Sequence, residues 1–172
     1  MQLYNEGMKK KNFDHLECPI ARTLGVIGEW WDMLIIRDLF YRVNTFTELV
    51  EDLNIARNIL TDRLKKLERE GVVQKVSSNR DGARHEYRLT EKGKDLYPIL
   101  IMMAWWAEKW DAENGATILF DHGAEGHELS PRLICDGCGE DIRPRDIRLR
   151  PGPGVTNPKG LPKPIRPKGE GG

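Results

Sequence analysis

The chain has 172 residues, with 27 Lys and Arg balanced by 27 Asp and Glu. That is enough for one domain with appendages, and it is not a polycation. No apolar run reaches the roughly 20 residues needed to cross a bilayer, and the apolar core of a signal peptide does not follow Lys9, Lys10 and Lys11; with an odd three cysteines arguing against a secreted disulfide framework, a cytoplasmic protein is expected.

Residues 1–17 are polar with scattered apolar positions and read as an N-terminal arm. Cys18-Pro19 opens a helix, because proline suits the first helical position. Ile20, Leu24 and Ile27 fall at i, i+4 and i+7 and predict a core-facing stripe, which Gly28 ends. The next helix, about Trp30 to Tyr41, is expected to bury Trp31, Leu34, Ile35 and Leu39. Thr45 can cap a third helix that turns Phe46, Leu49 and Leu53 inward.

The stretch from Asn54 to Gly71 carries the most information. Leu60, Leu64 and Leu67 recur at helical spacing and form one narrow apolar stripe. The other faces hold Arg57, Asn58, Thr61, Arg63 and Lys65, which can donate hydrogen bonds to phosphates or base edges. Asn54 is the expected cap of this helix and Gly71 its stop. A charged outer face is also the default for any surface helix, so the neighbours decide.

Those neighbours are a preceding short helix with almost no loop between and a following strand pair. Val72 to Val76 is β-branched, Asn79, Asp81 and Gly82 are turn formers, and Glu86 to Leu89 alternates so that Tyr87 and Leu89 face inward. Arg80 and Arg84 stand at the tip, placed to reach phosphates or a minor groove. From Arg57 to Lys94 eleven basic residues face six acidic ones, a local excess of +5 in a neutral chain. The order is that of a winged helix-turn-helix: mainly α, with a small β-hairpin wing and a short C-terminal extension carrying a CxxC knuckle.

Thr90 is expected to cap a long final helix with a kink at Pro98. Leu96, Ile99, Met103, Trp106 and Trp110 step by 3, 4, 3 and 4 along it. Such a helix has more apolar surface than a small winged domain can cover, which points to a homodimer. Met102, Met103, Trp105 and Trp106 are either core or the lining of a small-molecule effector pocket. The expected divisions are an arm (1–17), a DNA-binding and dimerisation domain (18–115), an extension (116–150) and a disordered tail (151–172) rich in proline, glycine and lysine.

The motifs Cys18-Pro19-Ile20, Gly28-Glu29-Trp30-Trp31, Phe46-Thr47-Glu48-Leu49, Leu60-Thr61-Asp62-Arg63-Leu64 and Glu86-Tyr87-Arg88-Leu89-Thr90 resemble the HxlR-type branch of winged helix-turn-helix regulators, over about residues 15–110. The resemblance implies a bacterial or archaeal transcription factor that binds double-stranded DNA as a homodimer. It implies that the helix matching Ala56 to Glu70 enters the major groove and that the hairpin matching Val72 to Leu89 is the wing. Ala56 departs from the family pattern, where serine or another small polar residue is common. Leu119 to Gly154 resembles an extension of some members, with a CxxCG knuckle and a Pro-Gly-Pro-Gly end; a further cysteine often stands there near the position of Glu125.

The DNA-binding candidates are therefore Arg57, Asn58, Thr61, Asp62, Lys65, Arg80 and Arg84, on a palindromic operator. Cys18, at a helix N-terminus that stabilises a thiolate, matches the sensing cysteine of thiol-based redox regulators among the relatives. Cys135 and Cys138 form half a zinc site, with His122 and His127 the nearby residues that could complete it; otherwise the knuckle is empty or redox-active. No catalytic constellation stands out, so an enzyme is not expected. The rival reading is a protein- or RNA-interaction module using the knuckle and the basic tail.

Overall fold

The computed structural model describes residues 13, 15–77, 85–113 and 115–156. The wing tip with Arg80 and Arg84, most of the expected arm and residues 157–172 of the expected tail lie outside the described residues. The chain divides into two compact units, Met1–Gly28 with Arg143–Gly172, and Glu29–Ile142.

In the first unit, helix α1 spans Pro19–Ile27, with Cys18 at its N-cap and proline in its first turn. The expected stripe is only partly buried. Ile27 is buried and Ala21 joins it, while Ile20 and Leu24 stay exposed. Helical spacing identifies a face that prefers burial but not what covers it. Glu17 accepts hydrogen bonds from the Thr156 amide at 3.1 Å and hydroxyl at 2.5 Å, tying the two ends of this unit together. A single 3-10 turn, Pro144–Asp146, precedes that tie.

The second unit runs α2 (Trp30–Phe40), α3 (Phe46–Leu53), α4 (Arg57–Arg69), β1 (Val73–Ser77), β2 (His85–Leu89), α5 (Glu91–Lys94), α6 (Tyr97–Trp110), β3 (Asp121–His122) and β4 (His127–Glu128). Its core gathers Ile35, Ile36 and Leu39 of α2, Leu49, Ile55, the three leucines of α4, Val72, Val73 and Tyr87. Helix α2 touches α3, α4 and β2, so it is the central post. Leu34 is exposed and Trp31 half-buried, against expectation. The face of α2 turned to the core is instead Asp32, Ile35, Ile36 and Leu39, at i, i+3, i+4 and i+7. That face includes an aspartate.

Asp32 does not sit there alone. Its Oδ2 accepts a hydrogen bond from Lys66 Nζ of α4 at 2.7 Å, and both side chains are buried. The same oxygen accepts the Glu29 amide at 3.3 Å at the start of α2. A second buried aspartate, Asp38, pairs with Arg37 at 2.6 Å; burial nonetheless pushes its carboxyl above the usual range.

Helix α3 has a capping box. The Thr45 hydroxyl oxygen accepts the Glu48 amide, and the Glu48 carboxylate accepts the Thr45 amide at 3.0 Å. Asn54 does not cap α4. It ends α3 in the left-handed region (φ 47°), a conformation asparagine tolerates. Ala56 occupies the α4 N-cap and offers no side-chain hydrogen bond. At the other end Gly71 is left-handed (φ 69°), with its amide on Glu68 O and the Val72 amide on Leu67 O, a Schellman motif.

The hairpin pairs Val73 with Leu89, Lys75 with Tyr87 and Ser77 with His85, one residue longer at the turn side than expected. The Tyr87 amide donates to Asn44 O at 2.8 Å, fixing the wing to the residues before α3. The long final helix proves to be two. Thr90 caps only α5, and Pro98 lies in the first turn of α6 rather than at a kink. The first turn has amides without partners, so proline costs nothing there. Gly93 allows the close packing of α5, because a Cβ would stand 2.2 Å from Val72 O.

Lys66→Met should strand a buried carboxylate and destabilise the fold by about 3–5 kcal/mol in urea titration, whereas pairing it with Asp32→Leu should recover most of the loss.

Candidate nucleic-acid interface

Burial of Leu60, Leu64 and Leu67 turns the opposite face of α4 to solvent, where Arg57, Asn58, Asp62 and Lys65 are exposed. Thr61 is half-buried, and its hydroxyl donates to Arg57 O at 2.8 Å, so only its acceptor lone pairs remain to be used. The Arg57 guanidinium lies over the Phe46 ring of α3 at 4.8 Å, which holds that cation beside the helix start. Ala56 caps α4 without a side-chain hydrogen bond, which leaves the first amides of the helix to other partners. An open helix N-terminus flanked by an arginine is a place where a phosphate oxygen can be held.

The structure also sorts the basic residues. Lys66 is spent on Asp32, Arg63 pairs with Glu29 at 3.3 Å, Arg88 with Glu86 at 2.9 Å and Lys94 with Glu91 at 2.7 Å. Arg57, Lys65 and Lys75 have no ion-pair partner among the described residues. Lys75, one of the eleven basic residues from Arg57 to Lys94 but not among the DNA-binding candidates, stands on β1 opposite Tyr87 and lines a cleft of about 570 Å³ with Thr45, Phe46, Thr47 and His85. Its signal in the sequence was a lone lysine inside a β-branched run. The expected wing arginines Arg80 and Arg84 lie outside the described residues.

The back of α4 is anchored at its C-terminal end. Thr90 Oγ1 donates to Gly71 O at 2.6 Å, and Lys92 Nζ donates to Glu70 O at 2.6 Å. Two side chains thus satisfy carbonyls that the end of α4 leaves open.

The other expected sites are placed as follows. Cys18 is half-buried at the α1 N-cap. Leu96 is half-buried, and Ile99, Met103, Trp106 and Trp110 are exposed along α6, none of whose residues is buried. Of the four residues considered for an effector pocket, Trp105 lines a cleft of about 220 Å³ with Ile118, Leu119, Phe120 and Leu129. His122 and His127 face each other across the β3–β4 hairpin with ring centroids 5.3 Å apart. Cys135 and Cys138 share a separate turn, and among the described residues no three His, Cys, Asp or Glu side chains gather where they could hold a metal ion. The four residues named as a possible zinc set are therefore not gathered into one cluster.

A family model described as HxlR-like helix-turn-helix matches residues 26–114. An uncharacterised HTH-type transcriptional regulator of Mycobacterium tuberculosis is 40% identical over 136 residues, covering 78% of this chain and 86% of the relative. A second such regulator, YvaP of Bacillus subtilis, is 37% identical over 95 residues, 54% of this chain and 88% of the relative. Among solved structures, the candidate transcription factor PA1607 superposes with a TM-score of 0.72 at 34% identity, covering 78% of this chain and 94% of that one. The candidate transcription factor PA1374 from Pseudomonas aeruginosa gives 0.57 at 29% identity, over 81% and 95%.

Ala56→Asp should supply the missing cap and raise stability by about 1 kcal/mol in urea unfolding. The same carboxylate competes for the open amides and repels phosphate, so duplex affinity measured by fluorescence anisotropy should fall.

Proposed function

Because the chain belongs to the HxlR-like helix-turn-helix family of transcriptional regulators, we propose that it is a sequence-specific DNA-binding regulator that acts as a homodimer on a palindromic operator. The observation that carries this reading is the outer face of α4. It is polar and exposed, opens on uncapped amides and is held rigidly from behind by the Lys66–Asp32 pair. In this reading Asn58, Thr61 and Asp62 face base edges, while Arg57, Lys65 and the wing residues Arg80 and Arg84 meet phosphates.

The dimer is supported by α6. Ile99 is 42% exposed, Met103 51%, Trp106 56% and Trp110 66%, a large apolar surface for one chain to leave in water. Burying one such side chain contributes roughly 1.5–3 kcal/mol, so several together can hold two copies. Two-fold symmetry then presents two recognition helices to half-sites about 10 base pairs apart or a multiple of that. The signal is received by a thiol or by a small molecule. Cys18 is the thiol in this proposal, and the cleft beside Trp105 is the pocket that supports an effector.

Selection from a random duplex library with the full-length protein tests the function directly. An enriched inverted repeat is expected, and a pool without any enriched motif would overturn the reading. Replacing both Met103 and Trp106 with lysine should give monomers in sedimentation at micromolar concentration, with weak and non-cooperative operator binding. Lys65→Ala should flatten the log-affinity against log-salt slope by about 1, at every duplex sequence, if that lysine neutralises one phosphate.

A further inference from the structure

The segment Leu133–Ile142 forms a small closed hairpin that neither the recognition helix nor the α6 face uses. Ile134 bridges Asp141, and the Ile142 amide donates to Leu133 O at 2.9 Å. Arg132 clamps its base by donating from Nε and Nη2 to the two Asp141 oxygens at 2.9 and 2.6 Å. At its tip lies Cys135-Asp136-Gly137-Cys138-Gly139. The Cys135 amide donates to Glu140 O at 2.9 Å, and Cys135 O accepts the Cys138 amide at 3.3 Å and the Gly139 amide at 2.7 Å. Gly139 takes the left-handed conformation (φ 74°) that lets the chain close this turn.

Two consequences follow for the sulfurs. A hydrogen-bonded four-residue turn keeps its end Cα atoms within about 7 Å, and a disulfide spans Cα separations up to about 6.8 Å, so the turn already brings the two cysteines to bridging range. The Gly137 amide, then the Cys138 thiol and the Cys138 amide, donate to the Cys135 sulfur and hold its thiol below the ordinary range. Gly137 leaves that sulfur uncrowded, since even an added Cβ would stand 3.9 Å away.

We propose that Cys135 and Cys138 are a dithiol switch that closes to an intramolecular disulfide on reaction with a hydroperoxide. The alternative occupant of such a turn is a tetrahedral metal ion, which needs more ligands than these two. Among the described residues no third His, Cys, Asp or Glu joins them, whereas a disulfide needs only the pair. Cys135 thiolate attacks the outer peroxide oxygen, the O–O bond breaks, and the departing oxygen takes a proton to leave as an alcohol or water. The resulting Cys135 sulfenic acid is attacked by the Cys138 sulfur. The S–S bond forms, the S–O bond breaks, and the Cys138 proton leaves with the hydroxide as a second water. Two thiols are oxidised by two electrons and one peroxide is reduced; an external thiol reverses the step.

The test needs no DNA, so its failure is distinct from failure of the regulator reading. Reduced full-length protein is titrated with hydrogen peroxide, quenched with an alkylating reagent and mapped by peptide mass spectrometry. A peptide lighter by two hydrogens and bridging Cys135 to Cys138 is expected. Cys138→Ser should stop at a Cys135 sulfenic acid that dimedone traps, and Cys135→Ser should slow peroxide consumption at this hairpin by about tenfold, since the activated thiolate is lost. Both cysteines remaining alkylatable while Cys18 is consumed would overturn the proposal. So would a pairing of either cysteine with Cys18 or with a second chain. Zinc that copurifies in stoichiometric amount and shields both thiols until chelated would overturn it in favour of a metal knuckle.

Discussion

One buried ion pair sets the orientation of α4. A stripe of leucines is attracted to any apolar surface and tolerates sliding and small rotations, because the hydrophobic effect has no direction. Lys66 and Asp32 remove that freedom. Each would be costly to bury alone, and each finds its opposite charge in the other at 2.7 Å. The ammonium fixes the rotation of α4 about its axis, and Asp32 passes the constraint on to the first turn of α2 through the Glu29 amide. Arg63 and Glu29 repeat the connection nearer the surface. With the inner face so fixed, Arg57, Asn58, Asp62 and Lys65 have only one direction to point.

Much of this was legible in the chain, and the failures have physical causes. Leu60, Leu64 and Leu67 fall in a segment where nearly every other residue is polar, so their period stands out and their burial followed. The hairpin was legible because β-branched and aromatic residues flank a run of turn formers. The ion pair was not, since a charged side chain is read as exposed unless its partner is known, and 34 residues separate the two. The i, i+3, i+4, i+7 pattern from Asp32 to Leu39 was nevertheless on view, and it placed an acid among the core positions. Asn54 suited two roles, a cap for the helix after it or a left-handed end for the helix before it. The buried Ile55 between the helices decides for the second. Pro98 was similarly double-valued, because a missing amide marks either a kink or a first turn.

The surface of the second unit divides by chemistry as much as by position. Polar donors and unpaired cations collect along α4 and β1, while α6 carries tryptophan, methionine and isoleucine in the open. Only one cation on α6 softens this, Lys109, which lies over the rings of Trp105 at 4.9 Å and Trp110 at 5.2 Å. Glu108 turns the other way and gathers the Thr117 hydroxyl and amide, which hold its carboxyl below the usual range. The extension is thereby tied to α6 at its root. Its cysteine turn forms a separate hairpin farther along the chain.

The joint at the end of α4 carries a mechanical meaning beyond capping. Three successive carbonyls, those of Glu70, Gly71 and Val72, are gripped by Thr90 and Lys92, at the start of α5, and only two residues separate α5 from α6. These hydrogen bonds bypass the hairpin between the two helices. The start of α5 and the end of α4 are therefore coupled directly, at the end of α4 opposite its uncapped start. That joint gives α6 a short covalent and hydrogen-bonded path to the C-terminal end of α4.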